Sequence, residues 1–411
     1  MDSDLFTYQP ASPLQASRQG ALAGTQILVQ PDLSVKDWLT DAGSRALAGF
    51  HAVMDATTVA RAKTAGACLT GSTHMAELGL GINGNTMAGA LSAGYGRVGL
   101  VTDLLGEARM SACLAGWYGF KPSYGLVSRF GLVGLVPSME CTGFIAPNPA
   151  EIAAALEAVA GPDENDFSMP AASPQPIGPV AASENGANRI GMPRQIREYL
   201  PASAIEAVDA ALGRMAQAEF DAGFDIQETD LPGFDLFSAA HQVIASVEAS
   251  SSCGKYDGVR YGCRAEDGRD WNEMYINSRS QAFGTRIKSF LFQGAYFQFE
   301  NYTDFENACI LRRKLVSRLD DLFEATPLLA LPVRLPHAEP ERAETIEETY
   351  TAFGLTLPAN LAGLPALCIP AVARDGETDL GLQLIGPRLS DAQVLTAGQR
   401  IYTRIQGDGN K

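Results

Sequence analysis

The chain is poor in the residues that build metal sites and disulfide frameworks. It contains only 4 histidines, none in an HxH or HxxxH pair, and its 7 cysteines include no CxxC pair. Zinc ligands are usually closely spaced histidines and cysteines, so we expect no metal site. The odd number of scattered cysteines favours free thiols in a reducing compartment over a disulfide framework.

Long apolar runs and an excess of basic residues are also missing. No stretch approaches the roughly 18 consecutive apolar residues of a membrane-spanning helix. The N-terminus shows neither a secretory signal nor an arginine-rich transit peptide. The formal net charge of −16 disfavours direct nucleic-acid contact, because phosphates require a basic surface. We therefore expect a cytoplasmic protein, or a mitochondrial matrix protein if the source is eukaryotic.

Strand-like and helix-like segments alternate along the chain. "TQILV", "GACLTG" and "RVGLVTD" predict strands between alanine-rich helices, and strand-like runs return in "LLALPVRLP", "PALCIPAV" and "LGLQLIGP". Because strands occur at both ends, we predict one large α/β domain. Its expected divisions are an N-terminal extension (1–19), the domain (20–405) with a surface connector (162–188) and a mostly helical insertion (235–325), and a tail (406–411).

Glycine-rich loops occupy the stretch between residues 79 and 134. The segment 79–84, "GLGING", matches the GxGxxG pattern of dinucleotide sites, but "STHMAEL" before it does not read as the strand that this motif requires. We therefore favour a turn-rich loop and expect no cofactor. The many following glycines predict close backbone packing or amide groups directed at an anion.

Several segments, in order, resemble the amidase signature family over roughly residues 20–405. They include "DATTVARAKTAGACLTGSTHMAELGLG", "GWYGFKPSYGLVSRFGLVGLVPSMECTG", "RIGMPRQIREYL" and "LTLPANLAGLPALCIP". "EASSSCGKYDGVRYG" is most similar to the A subunits of tRNA-dependent amidotransferases. The resemblance implies the amidase-signature α/β fold, a mixed central β-sheet sandwiched by α-helices in one large domain.

The resemblance also implies a Ser–cisSer–Lys catalytic triad, whose members this sequence has lost. The serine nucleophile of the family falls on Glu107, and the loop that carries the cis serine is reduced to "INGNTM". The lysine falls on Gln30, which we favour, or on Lys36 if an insertion is allowed. We expect the loss of the loop to remove the donors that hold an oxyanion.

The groups that the family uses to bind a substrate amino acid are replaced as well. Its two arginines correspond to Ser289 and Phe290, and its acidic residue corresponds to Phe353. These side chains cannot pair with a carboxylate and an amine. We therefore expect neither catalytic nor substrate-binding residues.

Three hypotheses follow. The first is a catalytically inactive subunit of a protein complex, whose partners resemble the B and C subunits of the amidotransferase. The second is a hydrolase or amidotransferase with rebuilt chemistry centred on Glu107 as general base or nucleophile. The third is a working amidase whose nucleophile is Ser92 or Ser111, with Lys36 beside it.

Overall fold

A computed structural model describes residues 4–15, 17–169, 189–216, 224–336, 338–370 and 380–408. In these residues 12 strands form one mixed sheet in the order β1-β4-β3-β5-β7-β6-β11-β12-β10-β8-β9, with β2 paired to β4. The strands are β1 (Phe6–Tyr8), β2 (Leu14–Gln15), β3 (Gln26–Val29), β4 (Cys68–Thr73), β5 (Val98–Asp103), β6 (Tyr118–Lys121), β7 (Cys141–Ala146), β8 (Arg189–Pro193), β9 (Asp225–Thr229), β10 (Leu328–Pro332), β11 (Ala366–Ile369) and β12 (Leu382–Ile385).

Helices cover the sheet and extend beyond it. They are α1 (Thr57–Thr64), α2 (Thr86–Ser92), α3 (Glu107–Ala115), α4 (Pro149–Val159), α5 (Ala202–Ala216), α6 (Asp235–Ser252), α7 (Trp271–Ala282), α8 (Thr285–Phe299), α9 (Tyr302–Ala325), α10 (Ile346–Phe353), α11 (Leu357–Ala362) and α12 (Asp391–Asp408). Among the described residues no helix is both long and apolar enough to cross a membrane.

The alternation of side chains along the central strands separates two apolar layers. Leu28 packs with residues of α2 and α3, whereas its neighbours Ile27 and Val29 belong to the larger cluster that includes α4. Successive side chains of a strand point to opposite faces, so this division places α3 and α4 on opposite sides of the sheet. The sheet is therefore sandwiched by helices, as predicted.

Close approach of α3 to the sheet depends on glycine. A Cβ atom at Gly119 of β6 would lie 2.3 Å from the backbone oxygen of Ala108 and 2.7 Å from the Cβ of Ala112. A Cβ atom at Gly143 of β7 would lie 2.6 Å from the Cβ of Ala108. Two of the glycines in and beside the predicted cluster thus serve tight helix–sheet packing.

The structure alters some of the predicted divisions of the chain. Residues 1–19 were predicted to be an extension, but β1 and β2 pair with β4 and belong to the sheet. The range 235–325 contains α6 to α9. Most of the predicted connector 162–188 lies outside the described residues. The predicted tail 406–411 begins inside α12, and 409–411 lie outside them.

Candidate functional site

The site is built where β5 passes into α3. Asp103 ends the strand, three residues form a turn, and Glu107 begins the helix. Gly106 has a φ of 128°, a conformation that glycine adopts readily, and a Cβ there would lie 2.4 Å from Thr356 Oγ1. A strand–turn–helix connection of this kind directs backbone amide groups toward the helix N-terminus, which favours an anion.

Four backbone amides converge on the carboxylate of Glu107. The N–H groups of Leu104 (2.7 Å), Leu105 (2.7 Å) and Gly106 (3.1 Å) donate to Oε2, and that of Gly81 (3.0 Å) donates to Oε1. We call these four amides the anion nest. Three of these donors belong to the turn before Glu107, and the fourth, Gly81, directly precedes the shortened loop. Amides that can hold an anion are therefore present although the loop is reduced, contrary to the expectation that such donors are lost with it.

Glu107 is fully enclosed, with 2% of its surface exposed. Burial and the nearby Asp103 carboxylate raise the pKa of Glu107 to about 8, while the amides of Leu105 and Leu104 oppose that rise.

Arg286 of α8 contributes a positive charge beside the nest. Its Nη1 lies 3.9 Å from the point where a Cβ of Gly81 would stand, and it donates to the backbone oxygen of Ala343 at 2.6 Å. Burial lowers the pKa of Arg286, and Glu77 and Glu107 act against that shift. Sequence reasoning did not identify Arg286 as a site residue. The sequence feature that could have indicated it is its position one helical turn before Phe290.

A buried ion pair joins the turn to distant elements. Arg109 and Asp103 contact each other at 3.1 Å, and both side chains are inaccessible to solvent. Arg109 also donates to Gln383 Oε1 at 2.7 Å, to the backbone oxygen of Thr356 at 3.1 Å and to Asn360 Oδ1. This network connects β5 and α3 with α11 and β12.

His241 lies behind the nest and is uncharged. Burial lowers its pKa to about 3. Nε2 lies 3.2 Å from the carbonyl oxygen of Leu104, and Nδ1 lies 3.0 Å from Tyr350 Oη. A carbonyl oxygen only accepts hydrogen bonds, so Nε2 carries the proton and Nδ1 accepts from the tyrosine hydroxyl.

The other positions assigned to the triad lie in different environments. The side chain of Gln30 accepts a hydrogen bond from the backbone N–H of Thr102 at 2.8 Å, next to the turn. Lys36 is exposed, and its backbone N–H donates to Asp55. Ser111 is buried one helical turn after Glu107, and its carbonyl oxygen accepts from Asn85 in the shortened loop. The described backbone contains no cis peptide bond.

Aromatic side chains stand at two of the three positions assigned to substrate recognition. Phe290 and Phe353 are fully buried, whereas Ser289 is exposed. Phe290 packs near Tyr350, with ring centroids 6.3 Å apart, and Phe353 lies 3.9 Å from the position of a Gly81 Cβ. Apolar groups thus pack close to the nest.

The remaining motifs have structural contacts. The strand before the GxGxxG segment ends at Thr73, so the glycines do not follow it directly. Glu77 accepts hydrogen bonds from Ser44 and from the backbone of Gly284. In the part of the chain that is described, no group of three potential ligands is arranged to hold a metal ion.

Comparison with known proteins shows the family of the chain. The chain belongs to the amidase family, whose sequence model, described as "Amidase", matches residues 7–90 and 87–395. It is 32% identical to the A subunit of glutamyl-tRNA(Gln) amidotransferase from Haloarcula marismortui, over 96% of this chain and 98% of that one. The A subunit from Streptococcus pneumoniae is also 32% identical, with 92% and 82% covered.

Solved structures share the fold. The A subunit of the Thermotoga maritima glutamyl-tRNA(Gln) amidotransferase has a TM-score of 0.76 at 24% identity and covers 98% of this chain and 88% of its own. The peptide amidase of Stenotrophomonas maltophilia has a TM-score of 0.76 at 22% identity, with 94% and 84% covered. The predicted amidase-signature fold is confirmed.

Proposed function

We propose that this chain is a catalytically inactive member of the amidase family that serves in a protein complex in a structural or interaction role. The observation that carries the proposal is the carboxylate of Glu107 in the anion nest. The resemblance assigns the serine nucleophile to this position, and an oxyanion formed during acyl transfer needs amide donors of this kind. Glu107 therefore stands at the position assigned to the nucleophile, and its carboxylate accepts the hydrogen bonds of the four amides in the anion nest.

Two further features support this proposal. Gln30 stands at the position assigned to the lysine base, and an amide side chain cannot accept a proton from a serine at neutral pH. Buried Phe290 and Phe353 stand where charged groups would bind a substrate amino acid. Nucleophile, base and substrate-binding groups are thus replaced together, while the packing that builds the fold is retained.

The partners we propose are proteins that resemble the B and C subunits of the amidotransferase. The relatives are named as A subunits of that enzyme, so they belong to an assembly.

An aromatic face on α8 offers one surface for a partner. Its residues Phe292, Tyr296 and Phe299 are 75%, 51% and 75% exposed and lie on one side of the helix. We propose no contact with nucleic acid, a cytoplasmic or mitochondrial matrix location, and no cofactor.

Isolation of the protein from its native source tests the assembly. Size-exclusion chromatography with mass identification should give a stoichiometric complex larger than the 43.6 kDa chain. Replacing Phe292 and Phe299 by serine should weaken that complex, whereas the Phe167→Ser control, at a residue 97% exposed on a turn outside α8, should leave it intact. Elution of the unmodified protein alone would contradict the proposed role in a complex.

The alternative is a hydrolase or amidotransferase that uses Glu107 as general base. One observation favours it: a carboxyl group with a pKa raised to about 8 lies in the range suited to proton transfer at neutral pH. Four amide donors act against it, because they hold both carboxylate oxygens in place. This alternative predicts an amide hydrolysis rate that rises with pH through the pKa of Glu107 and is lost in Glu107→Gln.

A further inference from the structure

The three peptide groups of the turn are anchored on their carbonyl sides. Asn360 Nδ2 donates to the carbonyl oxygen of Asp103 at 3.3 Å, in the peptide group whose N–H belongs to Leu104. His241 donates to the carbonyl oxygen of Leu104, in the peptide group whose N–H belongs to Leu105. Thr356 Oγ1 lies 2.5 Å from the carbonyl oxygen of Leu105, in the peptide group of Gly106, and 2.7 Å from that of Phe353, so its one proton is shared between the two oxygens.

Each amide that donates to Glu107 Oε2 therefore belongs to a peptide group whose oxygen is held by a buried side chain. A peptide group is planar, so fixing its oxygen fixes the direction of its N–H. Hydrogen bonds on the carbonyl side also polarise the peptide and strengthen its donor. The three amides that the turn contributes to the nest are thus oriented by contacts that do not involve Glu107.

From this geometry we infer that the turn 103–107 is an intact binding site for a small carboxylate, that the Glu107 side chain is its tethered ligand, and that Asn360, His241 and Thr356 are positioning residues that orient its donors. This inference rests on the proposed function, in which Glu107 is a fixed group rather than a reacting one. The ligand class follows from the present occupant, since both oxygens of a carboxylate are bound.

Removal of the side chain should open the site to a free anion of matching size. Glu107→Ala lacks the two outer carbons of the glutamate side chain, which acetate replaces. Glu107→Gly lacks three carbons, which propionate replaces. We expect about 100 mM acetate to raise the Tm of Glu107→Ala by roughly 1–2 °C relative to chloride at equal ionic strength. Propionate should exceed acetate for Glu107→Gly.

The unmodified protein and Glu107→Gln are the controls, because their sites are filled. Both should show no difference between acetate and chloride. An acetate effect that is absent from Glu107→Ala, or equal in the unmodified protein, would overturn the inference. If the variants do not fold in chloride, recovery of folded protein from denaturant in acetate alone supports the inference, and failure in both salts overturns it.

The positioning role has a readout separate from folding. In the Glu107→Ala background, Thr356→Val should raise the acetate concentration that gives half the Tm shift several-fold, whereas Thr356→Ser, which keeps the hydroxyl, should not. If Thr356→Val leaves this acetate concentration unchanged, Thr356 does not orient the donors of the nest. Amide hydrolysis that depends on Glu107 would overturn the proposed function; a missing acetate effect without hydrolysis overturns only this inference.

Discussion

Replacing Arg109 by methionine is expected to lower the free energy of unfolding by about 3–5 kcal/mol, because a buried charge is left without its partner. Asp103 is fully buried, and among the described residues Arg109 is the cation that forms an ion pair with its carboxylate. Methionine retains much of the apolar volume of the arginine stem. The decrease in the free energy of unfolding therefore measures the loss of the charge and the hydrogen bonds of Arg109. Urea denaturation followed by circular dichroism measures the effect.

An exposed ion pair provides the matched control. Arg194 and Asp230 contact each other with side chains 61% and 53% exposed, so Arg194→Met should change the free energy of unfolding far less than Arg109→Met does. The double variant Asp103→Asn/Arg109→Met should lose less than the sum of its single changes, because neither charge remains. Equal, small losses for Arg109→Met and Arg194→Met would show that the buried network does not stabilise the fold.

Acidification is expected to destabilise the protein through His241. The pKa of this histidine falls from 6.5 to about 3 on folding, because burial disfavours the imidazolium. Between pH 6.5 and about pH 3, His241 is therefore protonated in the unfolded chain and neutral in the folded chain. The stability is fully present above pH 6.5 and is lost as the pH falls toward 3, by up to about 4–5 kcal/mol.

The difference between two variants isolates the contribution of His241, because the contributions of all other ionisable groups cancel in it. Glutamine at position 241 can donate to Leu104 and accept from Tyr350 without binding a proton. The difference in unfolding free energy between the unmodified protein and His241→Gln should therefore change with pH, in favour of the variant as the pH falls. Parallel pH profiles for the two proteins would contradict the assignment.

The central strands were predictable because their signals are local. "TQILV", "GACLTG" and "RVGLVTD" are short apolar runs bounded by turns, and they form β3, β4 and β5. The pairing of β1 with β4 was missed because β1 has 3 residues and β2 has 2, too few to show a strand period.

The site was predictable only in part. The resemblance located Glu107, but no local pattern showed where its carboxylate would bind. Gly81 is 26 residues away from it, and Asn360 and Thr356 contact residues of the turn 257 and 251 positions distant. Contacts of this kind depend on how the sheet brings distant segments together. No sequence pattern around His241 indicated that its ring would contact the carbonyl oxygen of Leu104.

The most direct test of the central claim is ammonia release from glutamine and from simple amides, measured for the purified protein and for the complex isolated with it. A relative that retains the serine nucleophile serves as the positive control. We expect no release above the blank for the unmodified protein and for Glu107→Gln, with and without partners. Turnover that is present in the unmodified protein and lost in Glu107→Gln would show that Glu107 is a reacting group, and would contradict the proposed inactivity.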